Sequence, residues 1–238
     1  MSLTGKTIVI IGGSSGIGLA TANAALTQHA DVVITGRSQD RLDSAVRELG
    51  SHVRAIALDS SDEAGTRAMF EKLDRVDHIF VSAGGVTPDA GLTVEIAAMR
   101  PAIDVRLWGA IYAAKYARPK MTAGGSITFM SGTSAFRPIP GAAVGTASCA
   151  AVEGLARSLA VDLAPIRVNA IRPGLIDTPL IDSFMGENKD AVVAGYTKRI
   201  PLKRMGRAEE VADAILFLMK NEYMNGTTLV IDGAASLV

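Results

Sequence analysis

The stretch Thr7–Gln28, TIVIIGGSSGIGLATANAALTQ, joins a short β-branched run to a longer apolar run through a glycine-rich turn. Gly12 would permit the tight turn, Gly16 would let the backbone approach a pyrophosphate, and Gly18 would let a helix pack closely on a strand. An ordinary glycine turn is the alternative, but the strand pattern before it and the helix pattern after it favour a dinucleotide site. The residues predicted to form this site are Gly12, Ser14, Ser15, Gly16, Ile17 and Gly18.

The rest of the chain repeats this alternation of short apolar runs and longer amphipathic runs. The predicted strands are Thr7–Ile11, Asp31–Thr35, Val53–Leu58, His78–Val81, Ser126–Met130, Arg167–Ile171 and Thr228–Ile231. The predicted helices are Gly16–Gln28, Gln39–Leu49, Asp62–Leu73, Met99–Tyr116, Ala142–Leu163 and Glu209–Met219. Strands that are apolar on both faces, joined by crossovers of this length, indicate an α/β fold. We predict a single-domain, Rossmann-like, doubly wound parallel sheet with helices on both faces.

Length and composition favour one domain over residues 1–238. One irregular segment, Thr178–Arg207, interrupts the alternation where ligands bind in such folds, so we predict a substrate lid there. The 24 basic and 24 acidic residues give a formal net charge of +0, which does not support nucleic acid or an anionic membrane as a partner. The single cysteine excludes an internal disulfide, and the three histidines lack the spacing of a metal site. The sequence shows neither a signal peptide nor a run of about 18 apolar residues, so we expect a cytoplasmic protein.

The residues after the second predicted strand bear on the choice of cofactor. About 20 residues beyond the glycine motif, dinucleotide folds place an acidic residue on the ribose 2′-hydroxyl. Gly36 occupies that position here, and Arg37 follows it. A guanidinium pairs with a phosphate through two hydrogen bonds, whereas an acid would repel a 2′-phosphate. Arg37 could be only a solvated surface charge, but its position favours NADP(H) over NAD(H).

Several further segments carry a family resemblance. GGSSGIG, ALDSSD (Ala57–Asp62), VSAGG (Val81–Gly85), IRVNAIRPGLIDTP (Ile166–Pro179) and VIDGA (Val230–Ala234) together resemble the motifs of the short-chain dehydrogenase/reductase family. The resemblance covers the whole chain, although VSAGG lacks both asparagines of the family's Asn-Asn-Ala-Gly. It implies that an acid after the third strand contacts adenine and that the segment after the sixth strand lines the nicotinamide. The implied cofactor contacts are Asp59, Ser60, Ala83, Gly84, Pro173, Gly174, Ile176 and Thr178.

The catalytic positions depart from the family pattern. The resemblance implies a proton-donating Tyr and, four residues later on the same helix face, a Lys that holds the cofactor ribose and lowers the Tyr pKa. Gly145 and Cys149 stand at these two positions. The family's serine falls at Gly132 or Thr133, and its asparagine falls at Arg106.

Three residues are candidates for a substitute catalytic group. Ser131 and Thr133 could orient a carbonyl but would need a further proton source. Arg106 is a poor proton donor, yet it could stabilise an alkoxide or hold a substrate carboxylate. An ion pair with Asp104 or a contact with another subunit explains Arg106 equally well. Packing is the simpler explanation of Cys149.

Two functional hypotheses follow. The nicotinamide-side segment and the lid favour an NADP(H)-dependent oxidoreductase that acts on a carbonyl or alcohol with a non-standard proton donor. The loss of all four catalytic positions favours a catalytically inactive NADP(H)-binding pseudoenzyme that acts as a sensor or partner subunit. The sequence does not identify the small-molecule substrate. The resemblance, together with the apolar helices Met99–Tyr116 and Ala142–Leu163, also predicts a homo-oligomer, specifically a tetramer.

Overall fold

A seven-stranded parallel sheet forms the centre of the computed structural model, which describes residues 2–84, 94–181 and 189–238. Its strands are β1 (Thr7–Ile11), β2 (Asp31–Gly36), β3 (Val53–Ala57), β4 (Val76–Val81), β5 (Met121–Met130), β6 (Arg167–Pro173) and β9 (Thr228–Ile231). Their order across the sheet is β3-β2-β1-β4-β5-β6-β9, so the strand order reverses between β1 and β4. The predicted doubly wound fold is confirmed. Ligands of such sheets bind beyond the carboxyl ends of the strands at this reversal.

Helices cover both faces of the sheet. They are α1 (Gly16–Leu26), α2 (Gln39–Leu49), α3 (Glu63–Glu71), α4 (Ile96–Ile103), α5 (Gly109–Ala117), α6 (Ala143–Asp162), α7 (Lys189–Arg199) and α8 (Ala208–Lys220). Successive side chains of β1 enter two different cores, because side chains alternate along a strand. Val9 and Ile11 belong to the core formed with α3, α5 and α6, whereas Ile8 and Ile10 belong to the core formed with α1, α2 and α8.

The helix predicted over Met99–Tyr116 is longer and less regular than expected. The chain is helical from α4 to α5, but the five residues Asp104–Trp108 between them form a π-helix. A π turn takes an extra residue per turn and so changes the direction in which its side chains point. Periodicity at 3.6 residues cannot predict this change, and Arg106 lies within the π turn.

The segment Thr178–Arg207 contains regular structure, so the prediction that it is irregular is wrong. Within it, α7 runs over Lys189–Arg199. A short strand β7 (Ile176–Asp177) pairs in parallel with β8 (Gly206–Arg207), which joins the two ends of the segment. Residues 182–188 of the predicted lid lie outside the described residues. Among the residues that are described, no helix is both long and apolar enough to cross a membrane.

We expect the free energy of unfolding to depend on pH because His78 is buried within β4. His78 is 3% exposed, and its Nδ1 lies 2.9 Å from Ser126 Oγ. Burial, and then the positive charge of Arg167, lowers the pKa of His78 to about 4. Between about pH 6.5 and 4 the unfolded chain therefore binds a proton that the folded chain does not, so stability falls as the pH falls, by about 3 kcal/mol in total.

Urea unfolding at a series of pH values measures this dependence. We expect His78→Gln to flatten the slope between pH 6.5 and 4, because the titrating group is removed. His52→Gln is the matched control, since His52 is an exposed histidine, and it should leave the slope unchanged. An unaltered slope in His78→Gln would contradict the assignment.

Candidate functional site

The glycine-rich turn lies at the carboxyl end of β1 and leads directly into α1. Gly12 has a φ of 90°, and a Cβ built there would lie 2.8 Å from the backbone nitrogen of Ala83. A Cβ built on Gly18 would lie only 2.1 Å from the carbonyl oxygen of Gly12. Side chains are therefore excluded at both positions, and the backbone of this turn is left open to a ligand.

The amino terminus of α1 fits a pyrophosphate. Among the described residues no hydrogen bond from the side chain of Ser15, the N-cap residue, covers the first turn, and that turn holds no acidic residue. The first N–H groups of a helix have no partner within the helix and carry a partial positive charge. The turn formed by Gly12, Ser14, Ser15, Gly16, Ile17 and Gly18 is thus an anion-binding cradle of the kind that dinucleotides occupy.

The segment after β6 folds back onto this cradle. A Cβ built on Gly16 would lie 3.3 Å from the Cβ of Thr178, so the threonine lies directly beside the glycine turn. Gly174 packs against the backbone of Asp232, to which a built Cβ would approach within 2.8 Å. Ile176 is buried beneath Gly206. Pro173, the last residue of β6, is buried at the same end of the sheet.

The predicted adenosine end is formed after β2 and β3. Asp59 Oδ1 accepts hydrogen bonds from the backbone nitrogen of Ser61 at 2.9 Å and from its hydroxyl at 2.7 Å. Burial raises the pKa of Asp59, but these bonds and the nearby Arg37 guanidinium outweigh it and hold the pKa below its ordinary value. Arg37 and Asp59 therefore lie within electrostatic reach of each other. Ser60, which follows Asp59, is buried against Gly109.

The contact with Ser14 gives a structural reason for glycine at position 36. A Cβ built on Gly36 would lie 2.8 Å from the hydroxyl oxygen of Ser14. The acid that other dinucleotide folds place here would displace the glycine turn unless Ser14 moved. Arg37, by contrast, is exposed and lines a groove of about 590 Å³ between β3 and α3.

Arg106 lies between the carboxyl ends of β4 and β5. Its Nη1 donates a hydrogen bond to the carbonyl oxygen of Met130 at 3.1 Å. Its guanidinium carbon would lie 2.9 Å from a Cβ built on Gly84, so the planar group rests directly against this glycine. The structure therefore brings Arg106 next to the predicted cofactor residues Ala83 and Gly84.

Ser131 is buried and makes its hydrogen bonds inside the protein. It is 3% exposed, and its Oγ lies 2.7 Å from Glu153 Oε1 and 3.1 Å from the carbonyl oxygen of Cys149. The hydroxyl has one proton, and that proton is donated inside the protein. The role of Ser131 in orienting a substrate carbonyl stays a prediction, and it would require the hydroxyl to turn away from Glu153. Thr133, which begins a short 3₁₀-helix, is only half-buried and stays a candidate.

Gly145 and Cys149 lie at the amino-terminal end of α6. A Cβ built on Gly145 would have no described atom within 4 Å. Cys149 is 5% exposed, and a Cβ built on Gly132 would lie 3.5 Å from its Sγ. The site thus has an open space at position 145 and a packed thiol at position 149.

Comparison with known proteins agrees with this geometry. A family model described as enoyl-(acyl carrier protein) reductase matches residues 11–235. The short-chain dehydrogenase/reductase ucsE of an Acremonium species is 35% identical over an alignment that covers 97% of this chain and 95% of that protein. This chain belongs to the short-chain dehydrogenase/reductase family.

Solved structures place the chain in the same family of oxidoreductases. The MalC reductase/Diels-Alderase from Malbranchea aurantiaca superposes with a TM-score of 0.92 at 30% identity, covering 99% of this chain and 98% of that one. A small-chain dehydrogenase in complex with NADPH superposes with a TM-score of 0.86 at 34% identity, covering 98% of this chain and 100% of that one.

Two charged residues near the site were missed by the sequence reasoning. Arg172 Nε lies 2.8 Å from Glu153 Oε1, and Arg172 Nη2 lies 2.5 Å from Glu153 Oε2. The guanidinium carbon also lies 5.5 Å from the centre of the Phe136 ring. One sequence feature could have indicated these residues. Each is a charged residue in an otherwise apolar run, Glu153 in the helical run AAVEGLA and Arg172 in the strand run NAIRPG.

Proposed function

We propose that this protein is an NADP(H)-dependent oxidoreductase that acts on a carbonyl or alcohol group without the family's Tyr–Lys pair. One observation carries the proposal: the nicotinamide-side segment, through Thr178, lies against the glycine turn at Gly16. A module that only held the nucleotide would not need this contact. The turn and the amino terminus of α1 would hold the pyrophosphate. A bound nicotinamide would exchange a hydride with the substrate, while the protein orients the substrate and handles its charge.

Arg106 is the residue we assign to charge stabilisation. A guanidinium does not give up its proton in proteins, so it acts as a fixed positive charge rather than as an acid. Placed between Gly84 and the carbonyl of Met130, it can stabilise negative charge on a substrate oxygen. The proton itself must then come from water or through the hydroxyl of Thr133.

Exposed apolar side chains on the segments after β5 and β6 favour a bulky, apolar substrate. The loop between β5 and α6 exposes Phe136 and Ile139, with exposed fractions of 61% and 38%. Leu180, at the start of the predicted lid, is 43% exposed. We assign these exposed side chains to an apolar wall of the substrate site.

We expect Arg37→Ala to weaken NADPH binding and to leave NADH binding unchanged. The guanidinium would pair with the 2′-phosphate, a charged hydrogen bond that contributes about 1.5–3 kcal/mol, and NADH has no such phosphate. Isothermal titration calorimetry with both cofactors measures the difference. Arg47→Ala is the matched control, because Arg47 is an exposed arginine in the last turn of α2. Equal affinities for the two cofactors in the unmutated protein would refute the preference.

The second candidate function is a catalytically inactive NADP(H)-binding protein that acts as a sensor or partner subunit. One observation favours it: Gly145 and Cys149 stand at the positions that the resemblance assigns to the family's tyrosine and lysine. Neither the proton-donating phenol nor the ammonium that lowers its pKa is then present. Steady-state NADPH oxidation against a panel of bulky and simple carbonyl compounds, run beside an NADPH titration, separates the two. Turnover with any compound supports the oxidoreductase, and tight NADPH binding without turnover across the panel supports the inactive binding protein.

We also propose that the protein is a homotetramer. Trp108 and Val161, on the two long helical stretches predicted to pack between subunits, are 46% and 78% exposed in the single chain. Light scattering at micromolar concentration should show a tetramer, and Val161→Glu should shift it towards smaller species, because a charge would enter an apolar contact. Lys220→Glu, a charge change at the end of α8, serves as the comparison. A monomeric unmutated protein would contradict the proposal.

A further inference from the structure

A buried polar network joins the ends of β5, α6 and β6. Ser131 follows β5, Glu153 lies on α6, and Arg172 is the penultimate residue of β6. Glu153 receives two hydrogen bonds from the guanidinium of Arg172, at 2.8 and 2.5 Å, and one from the Ser131 hydroxyl, at 2.7 Å. The side chains of Arg172 and Glu153 are 14% and 7% exposed. We call Ser131, Glu153 and Arg172 the buried triad.

The buried triad encloses two residues of the candidate site. Met130 pairs with Ile171, and the backbone nitrogen of Ser131 donates to the carbonyl of Ile171 at 2.8 Å, so Ser131 and Arg172 lie side by side. The Ser131 hydroxyl also lies 3.1 Å from the carbonyl oxygen of Cys149. Cys149 in turn lies against Gly132. We call Gly132 and Cys149 the site floor.

Stability alone does not explain a charged pair at this place. The two elements that carry the pair, α6 and β6, also supply Val152, Ala156, Val168 and Ala170 to one buried core. Transfer of two charges into such a core is costly, and apolar residues of similar volume commonly give equal or greater stability. What an ion pair with several fixed hydrogen bonds can provide is one defined arrangement of the elements that it joins.

We propose that the buried triad consists of positioning residues that fix the site floor relative to the nicotinamide-side segment. The inference rests on the proposed function, because it assigns the triad to the nicotinamide end of that site. Arg172 immediately precedes Pro173, the first residue of the nicotinamide-side segment. The Glu153 hydrogen bonds raise the pKa of Arg172 most, and the Cys149 thiol contributes as well, so the cation lies within electrostatic reach of the thiol.

The ring of Phe136 extends this arrangement to the protein surface. The ring is 61% exposed and lies over the guanidinium, at 5.5 Å from its central carbon. Phe136 belongs to the loop that leads from the site floor to α6. The triad therefore also holds the loop that we assign to the apolar wall of the substrate site.

Four variants of the full-length protein test the role of the triad. Ser131→Ala and Glu153→Gln weaken it, Arg172→Lys keeps the cation, and the double change Glu153→Leu with Arg172→Met replaces the pair by apolar residues. Glu63→Gln is the control, since it breaks an ion pair with Lys115 that also joins two helices, at 3.1 Å, but lies on the surface. Three properties are measured: the thermal midpoint, the circular dichroism of bound NADPH near 340 nm, and the labelling rate of Cys149, the only cysteine, by a thiol reagent without cofactor.

We expect Cys149 to be labelled about 10-fold faster in Glu153→Gln and in the apolar double variant than in the unmutated protein. The coupling free energy between residues of one network is typically large enough for a change of this size. Both should also change the NADPH spectrum. Arg172→Lys should recover most of the unmutated behaviour, Ser131→Ala should give a smaller effect, and Glu63→Gln should give none. The double variant should fold with a thermal midpoint close to that of the unmutated protein, which separates positioning from stability.

Two results would overturn the inference. A folded double variant with unmutated labelling and an unmutated NADPH spectrum would show that the pair is only a packing feature. A double variant that does not fold would show that the pair is needed for stability instead. The labelling rate needs neither NADPH nor a substrate, so failure of the proposed function in the carbonyl panel leaves this test intact and distinguishable.

Discussion

Replacing Gly145 by Tyr and Cys149 by Lys is expected to raise NADPH-dependent reduction of simple ketones by about 10²- to 10⁴-fold, the range that general acid catalysis contributes. The phenol would restore the proton donor, and the ammonium would restore the group that lowers its pKa. The gain appears only if the rest of the site already holds NADPH productively. The measurement is NADPH consumption with a panel of aldehydes and ketones.

The structure distinguishes the two substitutions. A Cβ at position 145 meets no described atom within 4 Å, so the first side-chain carbon of the tyrosine causes no clash with the described residues. Position 149 is less accommodating, because the thiol is buried and packs against Gly132. We therefore expect Gly145→Tyr alone to give part of the gain. The triple variant that adds Arg106→Asn should gain further, since the family has an asparagine there.

Gly145→Phe combined with Cys149→Lys is the matched control, because phenylalanine fills the same space without a hydroxyl. It should bind NADPH as the tyrosine variant does and should show no gain in ketone reduction. Rapid reduction of several simple ketones by the unmutated protein would refute the reading of lost proton-transfer chemistry. A folded triple variant that binds NADPH without gaining activity would favour the inactive binding protein.

Replacing Gly18 by alanine is expected to abolish measurable NADPH binding and to destabilise the fold by about 1–3 kcal/mol, as overpacking does. The added methyl group would lie 2.1 Å from the carbonyl oxygen of Gly12, a distance that requires α1 to move away from β1. The amino terminus of that helix is the group that we expect to hold the pyrophosphate. Gly12→Ala should act in the same direction, since Gly12 has a φ of 90° and lies against the Ala83 backbone.

Gly154→Ala provides the control for both glycine substitutions. Gly154 lies within α6, and a Cβ there would have one neighbour, Arg157 Nη2, at 3.8 Å among the described residues. Alanine at such a helical position should stabilise by about 0.5–1 kcal/mol, because glycine is the poorer helix former. Urea unfolding and NADPH titration measure both effects. NADPH binding by Gly18→Ala with the affinity of the unmutated protein would contradict the assignment of the cradle.

The strands and helices were largely predictable because their signals are local. The run Thr7–Ile11 is β-branched at every residue, and the observed β1 has the predicted bounds. The glycine turn was predictable for the same reason, since Gly12 needs a backbone conformation that other residues rarely adopt. The boundaries of the π turn around Arg106 were not predictable, because its period differs from that of the α-helices on either side.

The sequence by itself determined the doubly wound fold and the position of the glycine turn between β1 and α1, because both depend on spacing along short stretches. Only the tertiary structure shows that Ser131 Oγ donates a hydrogen bond to Glu153. That partner lies 22 residues away, and Arg172 lies 19 residues from Glu153. Whether such side chains meet depends on how α6 packs across β5 and β6. The residues next to them in the sequence do not predict that packing.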